Sequence, residues 1–335
     1  MNAIESIVSY INGFDKDKEA TLMYGLCIKD LISEVCKIKE VNHPGFTKRQ
    51  SSLVANITKL EDEIGMTLYP YQIDSVFWVN FKAFLKDQKL CNNTINLLTD
   101  QLKSILDCGS FYGSEVSTTY DDYSRECVVM NTIALTADEV SAIYHFNIKD
   151  LKVYHHGIKK YRKMRCDKVE TLTRVKDMFV LSCNLGQRYS DMIRISKDNF
   201  HNNIFKIVQQ KTGSVAELNI DRMSIDPGVT YKILKKYNYC APFSGDINSY
   251  NKYLKELFVK TDIDKKLTID YLDENGVLSK KQIAKVSKIS SHVARRTFCT
   301  ENYRRRQDCE ELRRATGHQD EDNMITYIKT QLIHV

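Results

Sequence analysis

The sequence predicts a mainly α-helical protein carrying one small β-hairpin. Three observations lead there. Apolar residues recur at three-to-four spacing along most of the chain, the stripe of an amphipathic helix. Residues 204–210 and 215–220 instead read as two strands about Lys211-Thr212-Gly213-Ser214, a short turn with glycine. Proline (4) and glycine (13) are too few in 335 residues for a collagenous, proline-rich or many-turned all-β chain.

Three regions follow in order. Residues 1–68 read as an N-terminal helical region. Leu22, Met23, Leu26, Cys27, Leu31, Val35 and Ile38 form one stripe, Asn42-His43-Pro44-Gly45 breaks it, and a second helix covers about 48–64. No chemistry is visible there, so packing or partner binding is expected. Residues 69–130 hold two more amphipathic helices and a linker. Ile73, Val76, Phe77, Phe81, Phe84 and Leu85 make one face. After the capping residues Asn92-Asn93-Thr94, Ile95, Leu98, Leu102, Ile105 and Leu106 make the next. The linker is expected over 113–135, rich in Gly, Ser, Thr and Asp, with a short extended piece at 128–135.

Residues 131–335 read as a further domain. Thr136 with Glu139 three residues on is a capping box opening a helix. The Lys- and Arg-rich stretch 149–168, with Tyr154, His155, His156 and Tyr161, is either a solvated helix face or a phosphate-contacting one. A helix over 168–186 ends near Gly186, then comes the hairpin. Helices are expected at about 228–237, 246–260, 279–287, 291–306, 308–316 and 320–330. No internal repeat or low-complexity tract is present.

Composition narrows the function classes. Charged residues at 27% and apolar residues at 42% describe a globular chain, too apolar for disorder. The net charge of +6 is mild and does not decide the partner. No apolar run approaches membrane-spanning length, and the opening MNAIESIVSYINGF lacks the basic and apolar regions of a secretory signal. The ten cysteines form no CxxC, and no Cys/His cluster has zinc spacing, so free thiols in a reducing compartment are expected, without metal. With no GxGxxG and no P-loop pattern, no nucleotide cofactor is expected.

Four short segments could carry chemistry. Ser290-Ser291-His292-Val293-Ala294-Arg295 opens a helix, so His292 and Arg295 share a face near a helix N-terminus, where anions are favoured. Ala315-Thr316-Gly317-His318 ends one helix at Gly317, and Tyr327 lies nine residues beyond His318. Upstream, Gly186-Gln187-Arg188 is followed by Asp191, and Lys211 sits at the hairpin turn. Each alone is more often a solvated or core residue than a functional one.

Together and in this order, Arg188, Lys211, His292-x-x-Arg295, Gly317-His318 and Tyr327 resemble the tyrosine recombinases, the phage-integrase family. SSHVARRTFCTENY, RRATGHQDEDNMITYIK, LSCNLGQRYSDMIRI and IVQQKTGSVAELNI look especially like integrases of bacteroidete mobile elements and phages. The likeness covers about 70–335. It implies a tyrosine-recombinase-like catalytic domain preceded by a helical core-binding (SAM-like) domain, clamped around double-stranded DNA. The sequence departs from the family at Gln187, usually small or apolar, and at Thr316, often Leu. The acids Asp320, Glu321 and Asp322 near Tyr327 should point outward, since they would repel a phosphate.

These residue types suit phosphodiester cleavage. Arg188 and Arg295 can fork onto phosphate oxygens and stabilise the pentacoordinate state. His318 can donate a further hydrogen bond, and His292 can assist as donor or acid/base. The resemblance implies that Lys211 protonates the departing 5′ oxygen and that Tyr327 attacks, forming a 3′-phosphotyrosine. Neither metal nor ATP is required on this logic. Arg296, Arg304, Arg305, Arg306, Arg313 and Arg314 are expected to include several phosphate contacts. The expectation is a site-specific recombinase integrating or excising a mobile element, tetrameric on DNA, in a bacterial cytoplasm at the nucleoid, served by an accessory DNA-bending or directionality protein. The alternatives are a type IB topoisomerase-like activity and a non-catalytic DNA-binding regulator.

Overall fold

The computed structural model describes residues 23, 25–127, 132–148, 153–155, 158–162, 166–259, 261, 266–272, 278–306, 308–320, 324–325 and 327–328, with backbone alone for 153–155, 158–162, 166 and 272. It divides into two compact units, Met1–Val128 and Val129–Val335.

In the first unit four helices share one core: α1 (Ile28–Asn42), α2 (Phe46–Ile64), α3 (Ser75–Asp87) and α4 (Asn92–Phe111). The stripes read from the sequence are the buried faces. Leu31 and Val35 of α1, Leu53 and Ile57 of α2, Trp78, Phe81 and Leu85 of α3, and Leu98, Leu102 and Ile105 of α4 form a single cluster. Helices on both sides of the expected 68/69 boundary therefore pack as one body. Asp74 caps α3 by accepting from Phe77 N at 2.7 Å. Gly65 ends α2 in the left-handed region, where a residue lacking Cβ is favoured.

The segment expected as a linker from 113 is strapped to this unit as far as residue 127. Trp78 Nε1 donates to the Tyr120 carbonyl at 2.8 Å, and Tyr123 donates to Asp100 at 2.8 Å. Asn96 bonds the Glu126 backbone in both directions, at 2.9 and 2.7 Å. Glu126 also pairs with Lys82 and Lys86. Polar side chains on helix faces, invisible to hydrophobic periodicity, hold it there.

The second unit is built around α6 (Cys166–Leu185), which packs against α5 (Ala137–His145), α9 (Pro227–Lys236), α10 (Ile247–Phe258) and α11 (Ser291–Arg306). Leu172, Val175, Met178, Phe179 and Leu181 are buried in its core. The Thr136–Glu139 capping box opens α5 with both reciprocal bonds formed. The short helices α7 (Tyr189–Met192) and α8 (Ile220–Met223) and the helix α12 (Cys309–Thr316) complete the set in the order of the chain.

Sheets are small. β1 (Val153–His155) and β2 (Ile158–Arg162) form an antiparallel pair, so the basic stretch 149–168 holds strands where a helix face was one expected reading. β3 (Phe200–His201), β4 (Ile204–Val208) and β5 (Val215–Asn219) form an antiparallel sheet in that order. Phe205 and Ile207 alternate inward on β4, and Ala216 and Leu218 on β5, as period two requires. β6 (Lys266–Leu272) and β7 (Leu278–Ala284) form a third antiparallel pair. A helix was expected at 279–287; β7 and the 3₁₀ turn Lys285–Lys288 stand there instead. Cross-strand pairing, a non-local interaction, decided between two readings of one short lysine-rich segment. The helix expected over 320–330 falls partly outside the described residues. Met324 and Ile325 are helical, and Tyr327 lies in a turn whose N–H donates to Met324 O at 2.9 Å.

Candidate active site

Four segments of the second unit converge. The first is the turn after α6. Gly186 takes φ +68°, and a Cβ there would lie 2.4 Å from Phe298 Cδ1. Only glycine permits both the left-handed backbone and this approach of α6 to α11. The tight turn places Arg188 at the N-cap of α7. Asp191, fully buried, accepts from Gln210 N at 2.8 Å and pairs with Arg194 at 2.7 Å, tying this segment to the base of the β4–β5 turn.

The second is that turn, where Gly213 takes φ +66° and Lys211 is exposed at the tip. The third is the first turn of α11. His292 lies at its open rim, and Arg295, one turn on, is completely buried. The fourth runs from the end of α12 to Tyr327. Gly317 in the left-handed region closes the helix, and His318 N donates to Arg313 O at 3.2 Å, the cap bonding of a helix ended by glycine.

The Tyr327 ring is the meeting point. Its centroid lies 4.9 Å from that of His318 and 6.5 Å from that of His292. The guanidinium carbons of Arg295 and Arg296 stand 5.5 and 5.6 Å from it, within cation–π range. The charges of Arg188 and Lys211 both act on His292. Arg188 Nη1 donates to Gln209 Oε1.

Electrostatically the site is a cluster of cations, on which the charges of Asp191 and Asp320 act from a distance. Among the described residues, no carboxylate makes an ion pair with Arg188, Lys211, Arg295 or Arg296. Arg295 Nη1 donates to Gly186 O at 3.1 Å, Nη2 bonds His318 Nε2 at 2.9 Å, and Nε is buried without a partner. Burial pushes its pKa down to about 10, helped by the neighbouring charge of Arg188, so it remains cationic at neutral pH. Burial likewise lowers Arg296. His318 is pushed down to about 3 by loss of water first, then by Arg295 and Arg188. His292 is lowered by desolvation and by the charges of Arg296, Arg295, Arg188 and Lys211. Both imidazoles are therefore neutral at pH 7. His318 was expected as a donor toward phosphate; here its Nε2 faces a guanidinium, which has only hydrogens to offer, and must accept.

Sequence reasoning missed two site residues. Gln187 and Gln209, both 1% exposed, form a buried amide pair: Gln209 Nε2 donates to Gln187 Oε1 at 3.1 Å. Gln187 Nε2 also donates to Leu185 O and Ala315 O, at 2.7 and 2.8 Å. Gln209 Nε2 donates to Thr316 O at 2.5 Å, while its Oε1 receives Arg188 and, at 3.2 Å, Thr212. This network joins the Arg188 turn, the Lys211 hairpin and the Gly317 cap. Gly317 is needed for it, since a Cβ there would lie 2.7 Å from Gln209 Cδ. The departure at Gln187 was a signal in the sequence; Gln209 gave none.

The surplus arginines are largely spoken for. Arg305 donates to Ser224 O and Ile225 O, Arg306 pairs with Glu311, and Arg313 pairs with Glu310. Arg304 faces Glu301 at 3.9 Å. These are helix-end and inter-helix bonds. Asp320 is exposed; Glu321 and Asp322 lie outside the described residues.

No protein-family model and no curated protein sequence matches the chain. Solved structures do. The Tn1549 transposon integrase in complex with transposon right end DNA aligns with TM-score 0.63 at 12% identity, over 91% of this chain and 95% of that one. A lambda integrase tetramer bound to a Holliday junction aligns with TM-score 0.62 at 13% identity, over 98% of this chain and 85% of that one. The XerH site-specific recombinase in a post-cleavage complex with a palindromic difH substrate gives 0.56 at 12% identity, over 91% and 83%. At these identities what is shared is architecture, and it runs through nearly the whole length: this chain has the fold of the tyrosine recombinases and integrases.

Proposed function

We propose that this protein is a site-specific DNA recombinase that cuts and rejoins duplex DNA through a covalent 3′-phosphotyrosine on Tyr327. The observation that carries the proposal is the buried guanidinium of Arg295 against the Tyr327 ring, in no ion pair among the described residues and with an unpartnered Nε. A buried charge without a counter-ion is costly, and such an arrangement persists where function requires it. A phosphodiester supplies the missing anion.

In this reading Arg188 and Arg295 bind the non-bridging oxygens, and their attraction grows as charge accumulates in the pentacoordinate state. The Tyr327 oxygen attacks phosphorus and the bond to the 5′ oxygen breaks. The phenol proton leaves toward His292, which is neutral and can receive it. Lys211, on the exposed hairpin tip, delivers a proton to the 5′ oxygen. A free tyrosine has a pKa of about 10, so attack as phenolate depends on these cations. The phosphotyrosine ester keeps the bond energy, and a 5′ hydroxyl from another strand reverses the step. Four copies acting on two DNA sites would then exchange strands, in the cytoplasm of a bacterial host at its nucleoid, with a DNA-bending or directionality protein as accessory.

The test is incubation with a duplex carrying the junction between mobile element and host DNA, nicked to trap cleavage, followed by mapping of the modified residue. Tyr327→Phe is expected to bind this DNA but form no adduct; an adduct in that variant would overturn the assignment. Cleavage should survive EDTA. Hybrid products from two differently labelled duplexes separate strand exchange from topoisomerase-like relaxation.

A further inference from the structure

We propose that the Thr316 hydroxyl is a positioning group that fixes His318 as the tautomer protonated on Nδ1, making its Nε2 the acceptor that holds Arg295. The geometry admits one proton assignment. Arg295 Nη2 lies 2.9 Å from His318 Nε2. A guanidinium can only donate, so Nε2 offers its lone pair. A neutral imidazole then carries its proton on Nδ1, which lies 2.8 Å from Thr316 Oγ1. Thr316 Oγ1 in turn donates to Leu312 O at 2.6 Å, one helical turn back. The chain Arg295 → His318 → Thr316 → Leu312 thus runs in one direction, every member donating to the next. All of its side chains are buried: Arg295 and Thr316 are 0% exposed and His318 is 6% exposed.

A hydroxyl can accept and donate at once, and no aliphatic residue can do either. With leucine or valine at 316, the Nδ1–H would face hydrocarbon, Arg295 alone would hold the tautomer, and the population of the other tautomer would rise. That tautomer puts an N–H on Nε2, directed at the N–H of Arg295 at 2.9 Å. Two donors repel, and Arg295 would lose one of its two partners. Thr316 acts through His318 on a guanidinium it does not touch. Its hydroxyl can also reverse. Once a phosphate oxygen takes over Arg295 Nη2, the Thr316 O–H can turn from Leu312 O to Nδ1. One proton leaves Nδ1 to water and one arrives at Nε2 from water, with no net change. His318 then has an N–H for the phosphoryl group. This last consequence rests on the recombinase reading; the resting tautomer does not.

The experiment is ¹⁵N NMR of the imidazoles in the full chain without ligand at pH 7, with His318→Gln identifying the signal. Wild-type His318 is expected to show a protonated Nδ1 and an unprotonated Nε2. Thr316→Ser should keep this pattern, and Thr316→Val should shift His318 toward the Nε2–H form. A wild-type Nε2–H form overturns the proposal whether or not any variant folds. An unchanged tautomer in folded Thr316→Val overturns it as well. On nicked junction DNA, Thr316→Val should lower the single-turnover cleavage rate about tenfold with binding within twofold, and Thr316→Ser should restore it. Absence of any adduct in wild type would count against the recombinase reading and leave the tautomer result standing.

Discussion

At the scale of single residues, the site is a contest between burial and charge. Arg295 sits at zero exposure and, among the described residues, in no ion pair with a carboxylate; in the proposed recombinase it would meet its anion only when DNA binds. Replacing a buried charge with an apolar side chain of similar length is often neutral or stabilising. Arg295→Met is therefore expected to leave the midpoint of chemical unfolding unchanged or raised, while adduct formation falls by on the order of 10²-fold or more. Equal losses of stability and cleavage would make Arg295 a structural residue. Gly186 is the opposite case, since its constraint is steric. Gly186→Ala must resolve a 2.4 Å contact with Phe298 and a left-handed backbone. It should destabilise the protein by about 2 kcal/mol or more in denaturant titration.

At the scale of elements, the β4–β5 hairpin and the ends of α6 and α12 share an apolar core and are joined above it by amides. Gln209 reaches Gln187, Thr316 O and Arg188 at once. Removing one partner of a buried hydrogen bond costs about 1–3 kcal/mol for each group left unmet. Gln209→Ala should therefore loosen the hairpin tip, with faster amide exchange over 209–214. It should slow cleavage more than it weakens DNA binding, because Lys211 and Arg188 lose their common anchor. Unchanged exchange at the tip would show that strand pairing alone holds it. Such a network was not legible from sequence: the hairpin is written in alternating apolar residues, but a glutamine at its end looks like any solvated turn residue. The strand pair β6–β7 was hidden for a similar reason. Leu278, Ile283 and the lysines between them satisfy helix and strand patterns about equally, and only pairing with β6 selects one.

At the scale of the molecule, the balance of charge gives two measurable consequences. His318 is depressed to about 3 from an ordinary value of about 6.5. Its folded state holds fewer protons than its unfolded state between those values, so stability rises with pH across that window and is lost as pH falls below about 6.5. The loss approaches about 1.4 kcal/mol per pH unit. His318→Gln should flatten the dependence of thermal midpoint on pH between 6.5 and 4; an unchanged slope would place the titration elsewhere. The second consequence is salt dependence. With a net charge of only +6, binding should draw on local cationic clusters, and affinity for duplex DNA should fall steeply with salt. A flat dependence would argue against phosphate contacts as its source.

The mainly helical architecture is written in the chain, because the apolar stripes of α1 to α4 are periodic in it. The chain also held the motif residues in a readable order, since Gly186, Gly317 and the α11 start are local backbone signals. How those segments are held together came from folding in three dimensions: one core joining residues 28–64 to 75–111, the Gln187–Gln209 clamp, and the hydrogen-bond chain through Thr316, His318 and Arg295. Periodicity reports the average environment of a helix or strand face. A buried hydrogen bond between residues scores apart in sequence depends on distance and direction in space, which no local pattern encodes.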